Sequence, residues 1–117
     1  MAYNPLDNPI INTVSKRVYN AAKDVLGDKL DKVYLYGSYA RGDYDEYSDI
    51  DYMIIVHLPQ AEACSIGHDI YDRVADLYMT YDVMVSPSTT GSETFYRFQN
   101  VHKYYRNILD EGVEIVG

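Results

Sequence analysis

Cysteine and tryptophan are nearly absent from this chain: 117 residues hold one cysteine, Cys64, and no tryptophan. A lone cysteine excludes an internal disulfide and a cysteine-built metal centre, and it fits a reducing, cytoplasmic setting. Basic residues are also few, 10 against 18 acids, for a net charge of −8. Such a chain repels a nucleic-acid backbone unless its bases cluster. Lys16, Arg17, Lys23, Lys29 and Lys32 lean towards one end, and Arg97, Lys103 and Arg106 towards the other, too sparsely to form a footprint. A long DNA or RNA substrate is disfavoured. No apolar run reaches the length of a membrane span, and Met1 to Asn8 lack the basic and apolar segments of a signal peptide. Repeats, low-complexity segments and linkers are missing too. One domain over residues 1–117 is expected.

What is present is a core's worth of apolar residues, 47% of the chain, and an excess of tyrosine, 14 copies. Tyrosine suits amphipathic core and boundary positions. It is also enriched at interfaces, which leaves room for a protein partner or for self-association.

Periodicity lays out alternating elements. Asn8-Pro9 reads as an N-cap and first helical position, with Ile10, Val14, Val18, Ala21 and Val25 at helical spacing and Gly27 as the stop. Lys32 to Tyr36 is a short strand, Gly37 to Asp45 a tight turn with a helical turn or two, and Asp49 to Val56 the strongest strand. A second helix opens at Pro59 and runs its apolar stripe through Ala63, Ile66, Ile70, Val74 and Leu77, weakened by Gly67. Tyr81 to Val85 reads as a third strand ended by Ser86-Pro87. Ser92 then caps a last helix through Leu109, with Phe95, Phe98, Val101, Tyr105 and Ile108 on one face, and Val113 to Val116 forms a closing strand. This order predicts an α/β fold, a small mixed sheet backed by helices.

The chemistry gathers in the middle. On a strand, residues two apart share a face, so Asp49 and Asp51 project together, with Met53 and Ile55 continuing that face into the core. Two carboxylates so close repel, and a hard divalent cation such as Mg²⁺ removes the conflict while also taking substrate phosphates. Asp82, in the apolar run Tyr81 to Val85, is the candidate third carboxylate. Its bland alternative is a cap or an ion pair with Arg41 or Arg73. Gly37 and Ser38 sit at a strand-to-helix turn, where glycine lets backbone approach a phosphate and a helix start offers free N–H groups. The loop is not a Walker A. Arg41 can reach phosphate, although pairing with Asp43, Asp45 or the carboxylates is the simpler role. Asp43, Asp45 and Glu46 read as a solvated acidic turn, and His57, His68 and His102 as surface or boundary residues.

The compound pattern Gly37-Ser38-Tyr39-Ala40-Arg41-Gly42, then Ser48-Asp49-Ile50-Asp51, resembles the signature of the DNA polymerase beta-like nucleotidyltransferase superfamily. More narrowly, it is similar to the minimal nucleotidyltransferases, and every motif position matches. The resemblance implies a catalytic core with helices on one side of the sheet and two Mg²⁺ ions on Asp49 and Asp51. It further implies that Asp82 ligates the metal that activates the acceptor, and that Gly37 and Ser38 hold the phosphates of ATP. Minimal members pair with a small helical higher eukaryote and prokaryote nucleotide-binding (HEPN) protein as antitoxin and toxin. The implied reaction is AMP transfer from ATP to a tyrosine of that ribonuclease toxin. Two alternatives remain: a module that neutralises its partner by contact alone, and a nucleotidyltransferase acting on a small molecule.

Overall fold

Asn8 sets the first long helix. Its side chain accepts from the amides of Ile10 and Ile11 at 2.9 and 3.2 Å, while Pro9 occupies the first helical position, where no N–H is needed. In this computed structural model, which describes residues 3–117, α1 runs Pro9–Leu26 and ends at Gly27 with φ +56°. Met1 and Ala2, at the head of the stretch read for a leader, lie outside the described residues. The remaining elements are β1 (Leu30–Tyr36), α2 (Ser38–Arg41), β2 (Ile50–Val56), α3 (Gln60–Val74), α4 (Leu77–Tyr81), β3 (Val85–Gly91), α5 (Ser92–Phe98), α6 (Lys103–Glu111) and β4 (Val113–Ile115).

The four strands form one mixed sheet in the order β3-β2-β1-β4. β1 runs antiparallel to β2 and β4, and the α3–α4 crossover returns the chain so that β3 lies parallel to β2. Alternation then divides the side chains between two faces. Val33, Leu35, Tyr52, Ile54 and Val56 pack under α1 and α3, where Val14, Val18, Ala22, Ala63 and Ile70 meet them. Tyr34, Met53 and Ile55 point the other way, into a smaller cluster with Phe95 and Ile108 from α5 and α6. The resemblance implies helices on one side of the sheet. This chain covers part of the second face as well.

Two further expectations change. The strand expected at Tyr81 to Val85 begins where it was expected to stop: Tyr81 closes α4, and β3 passes straight through Ser86-Pro87. An edge strand tolerates proline, because one side of its backbone makes no ladder bonds. Latches to α3 replace the missing apolar signal: Thr89 donates to the Ala63 carbonyl at 2.5 Å, and Gln60 accepts from the Gly91 amide at 2.8 Å. Gly67, read as a weak point, is what lets α3 approach, since a Cβ there would lie 2.8 Å from Thr89 Oγ1. The last helix is also two helices, broken over residues 99–102. Phe98 and Val101, expected on its buried stripe, are 42% and 79% exposed. Among the described residues no helix is long and apolar enough to cross a membrane.

Candidate active site

β1 delivers the chain to Gly37, whose φ of +77° favours glycine. A Cβ at this position would lie 2.6 Å from Asp51 Oδ2, so only glycine lets the turn pass the carboxylate. One helical turn follows: the amides of Ala40 and Arg41 donate to the Gly37 carbonyl at 3.1 Å, and Gly42, at φ +91°, ends α2. Buried Tyr39 and Ala40 root the turn, and Tyr3 ties to it through its hydroxyl, 2.8 Å from the Tyr39 carbonyl.

The acidic loop is built rather than merely solvated. Asp45 Oδ1 accepts from the Tyr47 amide at 2.9 Å and the Ser48 hydroxyl at 3.2 Å, while Ser48 Oγ accepts from the Asp45 amide at 3.0 Å. Ser48 thus fixes the approach to Asp49, which is exposed one residue before β2. Asp51 is half-buried inside β2, opposite Tyr36 of β1. Burial first, and the nearby Asp49 charge second, hold the Asp51 carboxyl above the usual carboxylate range; the Arg41 guanidinium works against them. Asp49 and Asp51 are therefore brought together, beside Gly37 and the start of α2.

Arg41 takes its simpler role. It pairs with Asp43 at 3.2 Å and with Glu111 of α6 at 3.1 Å, and both bonds raise its pKa. Ser38 opens α2 half-buried. Asp82 departs from expectation. It is not in a strand: it ends α4 in the left-handed conformation, φ +55°, exposed, with its amide donating to the Tyr78 carbonyl at 2.9 Å. Among the described residues no three His, Cys, Asp or Glu side chains gather as a metal-holding group. Asp82 does share a sheet end with the pair, because β2 and β3 run parallel and it lies three residues ahead of β3.

A half-buried carboxylate beside an exposed one, with Arg41 as a weak counter-charge, suits a divalent cation, whose remaining positions phosphate oxygens and water can fill. The donor set fits Mg²⁺ as a two-carboxylate site. The hollow lined by His57, Pro59, Gln60 and Ser92 opens at the far end of β2 and does not belong to it.

Sequence reading missed Tyr36, Ser88 and Tyr104. The Tyr36 hydroxyl contacts that of Tyr104; burial first, then Tyr104 and the Asp51 charge push its pKa up, while nearby Ser88 pulls it down. The pairing of β1 with β2 and of β2 with β3, and the packing of α6 on that face, bring this group together, and no local pattern announces a register.

Residues 16–115 match the family model described as a nucleotidyltransferase domain. Three Methanocaldococcus jannaschii proteins, each named "Putative protein adenylyltransferase", are similar. MJ0604 is 35% identical over 101 residues, 83% of this chain and 89% of its own length. MJ0141 is 45% identical over 64 residues, 54% of this chain and 62% of its own length. MJ1305 is 29% identical over 82 residues, 70% of this chain, and the chain spans 56% of its length. Two crystal structures of toxin-antitoxin MntA-HpeT mutants share the fold. Their TM-scores are 0.54 and 0.52 at 16% and 15% identity, covering 87% and 88% of this chain and 71% and 72% of theirs.

Proposed function

We propose that this chain, which belongs to the nucleotidyltransferase domain family, transfers AMP from ATP to a tyrosine hydroxyl of a protein partner. We take the partner to be a HEPN-type ribonuclease toxin, the transfer to be the means of neutralising it, and residues 1–117 to act as one domain in the cytoplasm. The observation that carries the reading is the Asp49–Asp51 pair, packed against a turn that only glycine allows. A module that worked by contact alone would gain nothing from holding one carboxylate half-buried beside another. The names of the relatives supply the protein acceptor, and the complexes that share the fold supply the toxin.

In this mechanism Gly37 and Ser38 hold the β- and γ-phosphates, using backbone amides at the start of α2 and the Ser38 hydroxyl. Asp49 and Asp51 would hold Mg²⁺, two ions in the full site, which when bound supplies positive charge to the attacking and leaving oxygens. Asp82, at the same sheet end, would join them as the third carboxylate. Arg41, tied to Asp43 and Glu111, keeps α2 and α6 in place and tempers the charge on Asp51. The acceptor oxygen bonds to the α-phosphorus, the bond from that phosphorus to the β-bridging oxygen breaks, and pyrophosphate leaves.

The placement of Asp82 favours one competing reading, a contact-only antitoxin whose carboxylate set is incomplete. Mixing the chain with a candidate HEPN-type partner, Mg²⁺ and labelled ATP separates the two. Label on a partner tyrosine is expected, with Asp82→Asn reducing its rate at least tenfold (~1.4 kcal/mol). Neutralisation of the partner without label would establish the contact reading instead.

A further inference from the structure

We propose that Tyr104 is an internal acceptor, so that the chain adenylylates its own α6; this rests on the transfer activity proposed above. Tyr36 faces Asp51 directly across the β1–β2 ladder, so both side chains leave the same sheet face. The Tyr36 hydroxyl in turn contacts the Tyr104 hydroxyl, the two rings meeting edge to face with centroids 5.8 Å apart at 89°. A line of polar groups therefore runs from the carboxylate, through Tyr36, to a phenol at the surface. Tyr104 is 41% exposed, so a nucleotide can approach the residue from solvent. The helix bearing it is fixed at both ends: Tyr36 holds its first turn, Glu111 holds its last through Arg41 at 3.1 Å, and Ile108 is buried between them.

The other exposed tyrosines lack this placement. Tyr71 and Tyr78 ride on α3 and α4, whose Ile70, Val74 and Leu77 pack on the opposite sheet face. Tyr47 is 85% exposed on the acidic loop, Tyr44 stacks on Tyr39, and Tyr3, 49% exposed, commits its hydroxyl to the Tyr39 carbonyl at 2.8 Å. Among the described residues, Tyr104 alone joins exposure to a hydroxyl contact that leads back to Asp51.

The step balances without another reactant. The Tyr104 phenol oxygen forms a bond to the α-phosphorus of ATP, and the bond from that phosphorus to the β-bridging oxygen breaks. Pyrophosphate departs with the electron pair, and the phenolic proton passes to water. The AMP group then replaces the hydroxyl contact with Tyr36, so each chain reacts once.

The purified chain, alone with ATP and Mg²⁺, is followed by intact mass and by peptide fragmentation that separates Tyr104 from Tyr105. Addition of one AMP at Tyr104 is expected, at a per-chain rate unchanged by dilution. Tyr104→Phe and Asp51→Asn lose it, and Tyr47→Phe keeps it. An unchanged mass, AMP on another residue, or a rate that falls with dilution overturns the proposal. A second reading needs neither metal nor nucleotide: hydrogen exchange across α6 is several-fold faster in Tyr104→Phe, and unchanged exchange would remove the contact on which the inference stands. Label on the partner's tyrosine with the chain's own mass unchanged sinks this proposal alone. Label on neither protein sinks the transfer activity with it.

Discussion

The two faces of the sheet are built for different ends. Under α1 and α3 the contacts are almost wholly aliphatic, and a buried polar pair, Ser15 with Tyr52, satisfies itself at 2.7 Å. Under α5 and α6 the cluster is small and aromatic, and beyond it the same face carries Tyr36 and then Asp51, a carboxylate held where its ionised form is disfavoured. One face stabilises; the other carries a carboxylate whose ionisation costs part of that stability. The contrast explains how so small a chain keeps that carboxylate half-buried: its cost stands on the opposite side of one β-strand from the packing that offsets it.

The hardest test of this contrast is Asp51→Asn. The shape stays and the charge goes, so transfer should fall about a thousandfold (~4 kcal/mol). Stability should move the other way. A carboxyl whose folded pKa is raised binds more protons folded than unfolded, so its ionisation weakens the fold as pH rises from the unfolded value near 4 through the folded one. At pH 7 the variant should therefore melt higher than the parent, and the gap should close below about pH 4. A lower melting temperature at neutral pH would show that Asp51 is a structural anchor.

Next in size is a pair of neighbours of the same type. Ile54 and Ile55 are both fully buried in β2 but face opposite ways, Ile54 into the large cluster and Ile55 into the small one. Ile54→Ala should cost about 4 kcal/mol in urea unfolding and Ile55→Ala about 2 to 3, because the smaller cluster can collapse around the gap. Ile55→Ala should also speed hydrogen exchange in α6 with little effect on α1. Equal costs and uniform exchange would mean that the faces unfold as one.

The sequence carried most of the first face and little of the second. Helix α1 was legible to within a residue at either end, because Asn8-Pro9 and Gly27 punctuate it chemically and Val14, Val18 and Ala21 keep its period. The carboxylate pair and the glycine turn were legible as a compound spacing. β3 was not, because Ser-Pro-Ser-Thr-Thr carries turn chemistry and becomes strand only through its latches to α3. That error moved Asp82, which looked like a strand residue and is a helix cap. The break between α5 and α6 was hidden for a related reason. Phe98 and Val101 extend the apolar stripe in sequence, yet Phe95 and Ile108 reach the same sheet face only if the chain turns between them.

Two glycines of positive φ offer a finer comparison. An added methyl at Gly27, φ +56°, would meet nothing within 4 Å, whereas one at Gly37 would lie 2.6 Å from the Asp51 carboxylate. Both alanine substitutions should cost about 1 to 2 kcal/mol of backbone strain. Only Gly37→Ala should also displace Asp51 and slow transfer, about tenfold or more; Gly27→Ala should leave transfer at the parent rate. Equal transfer by both variants would show that the close approach at Gly37 is packing without catalytic consequence.

The smallest expected effect is the most discriminating for the phosphate loop. Ser38 opens α2 half-buried. If its hydroxyl donates to a phosphate, Ser38→Ala removes one hydrogen bond to a charged group, so ATP should bind about tenfold more weakly, ~1.5 kcal/mol by calorimetry. Folding stability should change by less than about 0.5 kcal/mol, since the alanine side chain suits a helical position as well as serine does. The reverse pattern, a weaker fold with unchanged ATP affinity, would return Ser38 to the structural side of the comparison. It would leave the Asp49–Asp51 pair and the backbone amides as the whole of the nucleotide's grip.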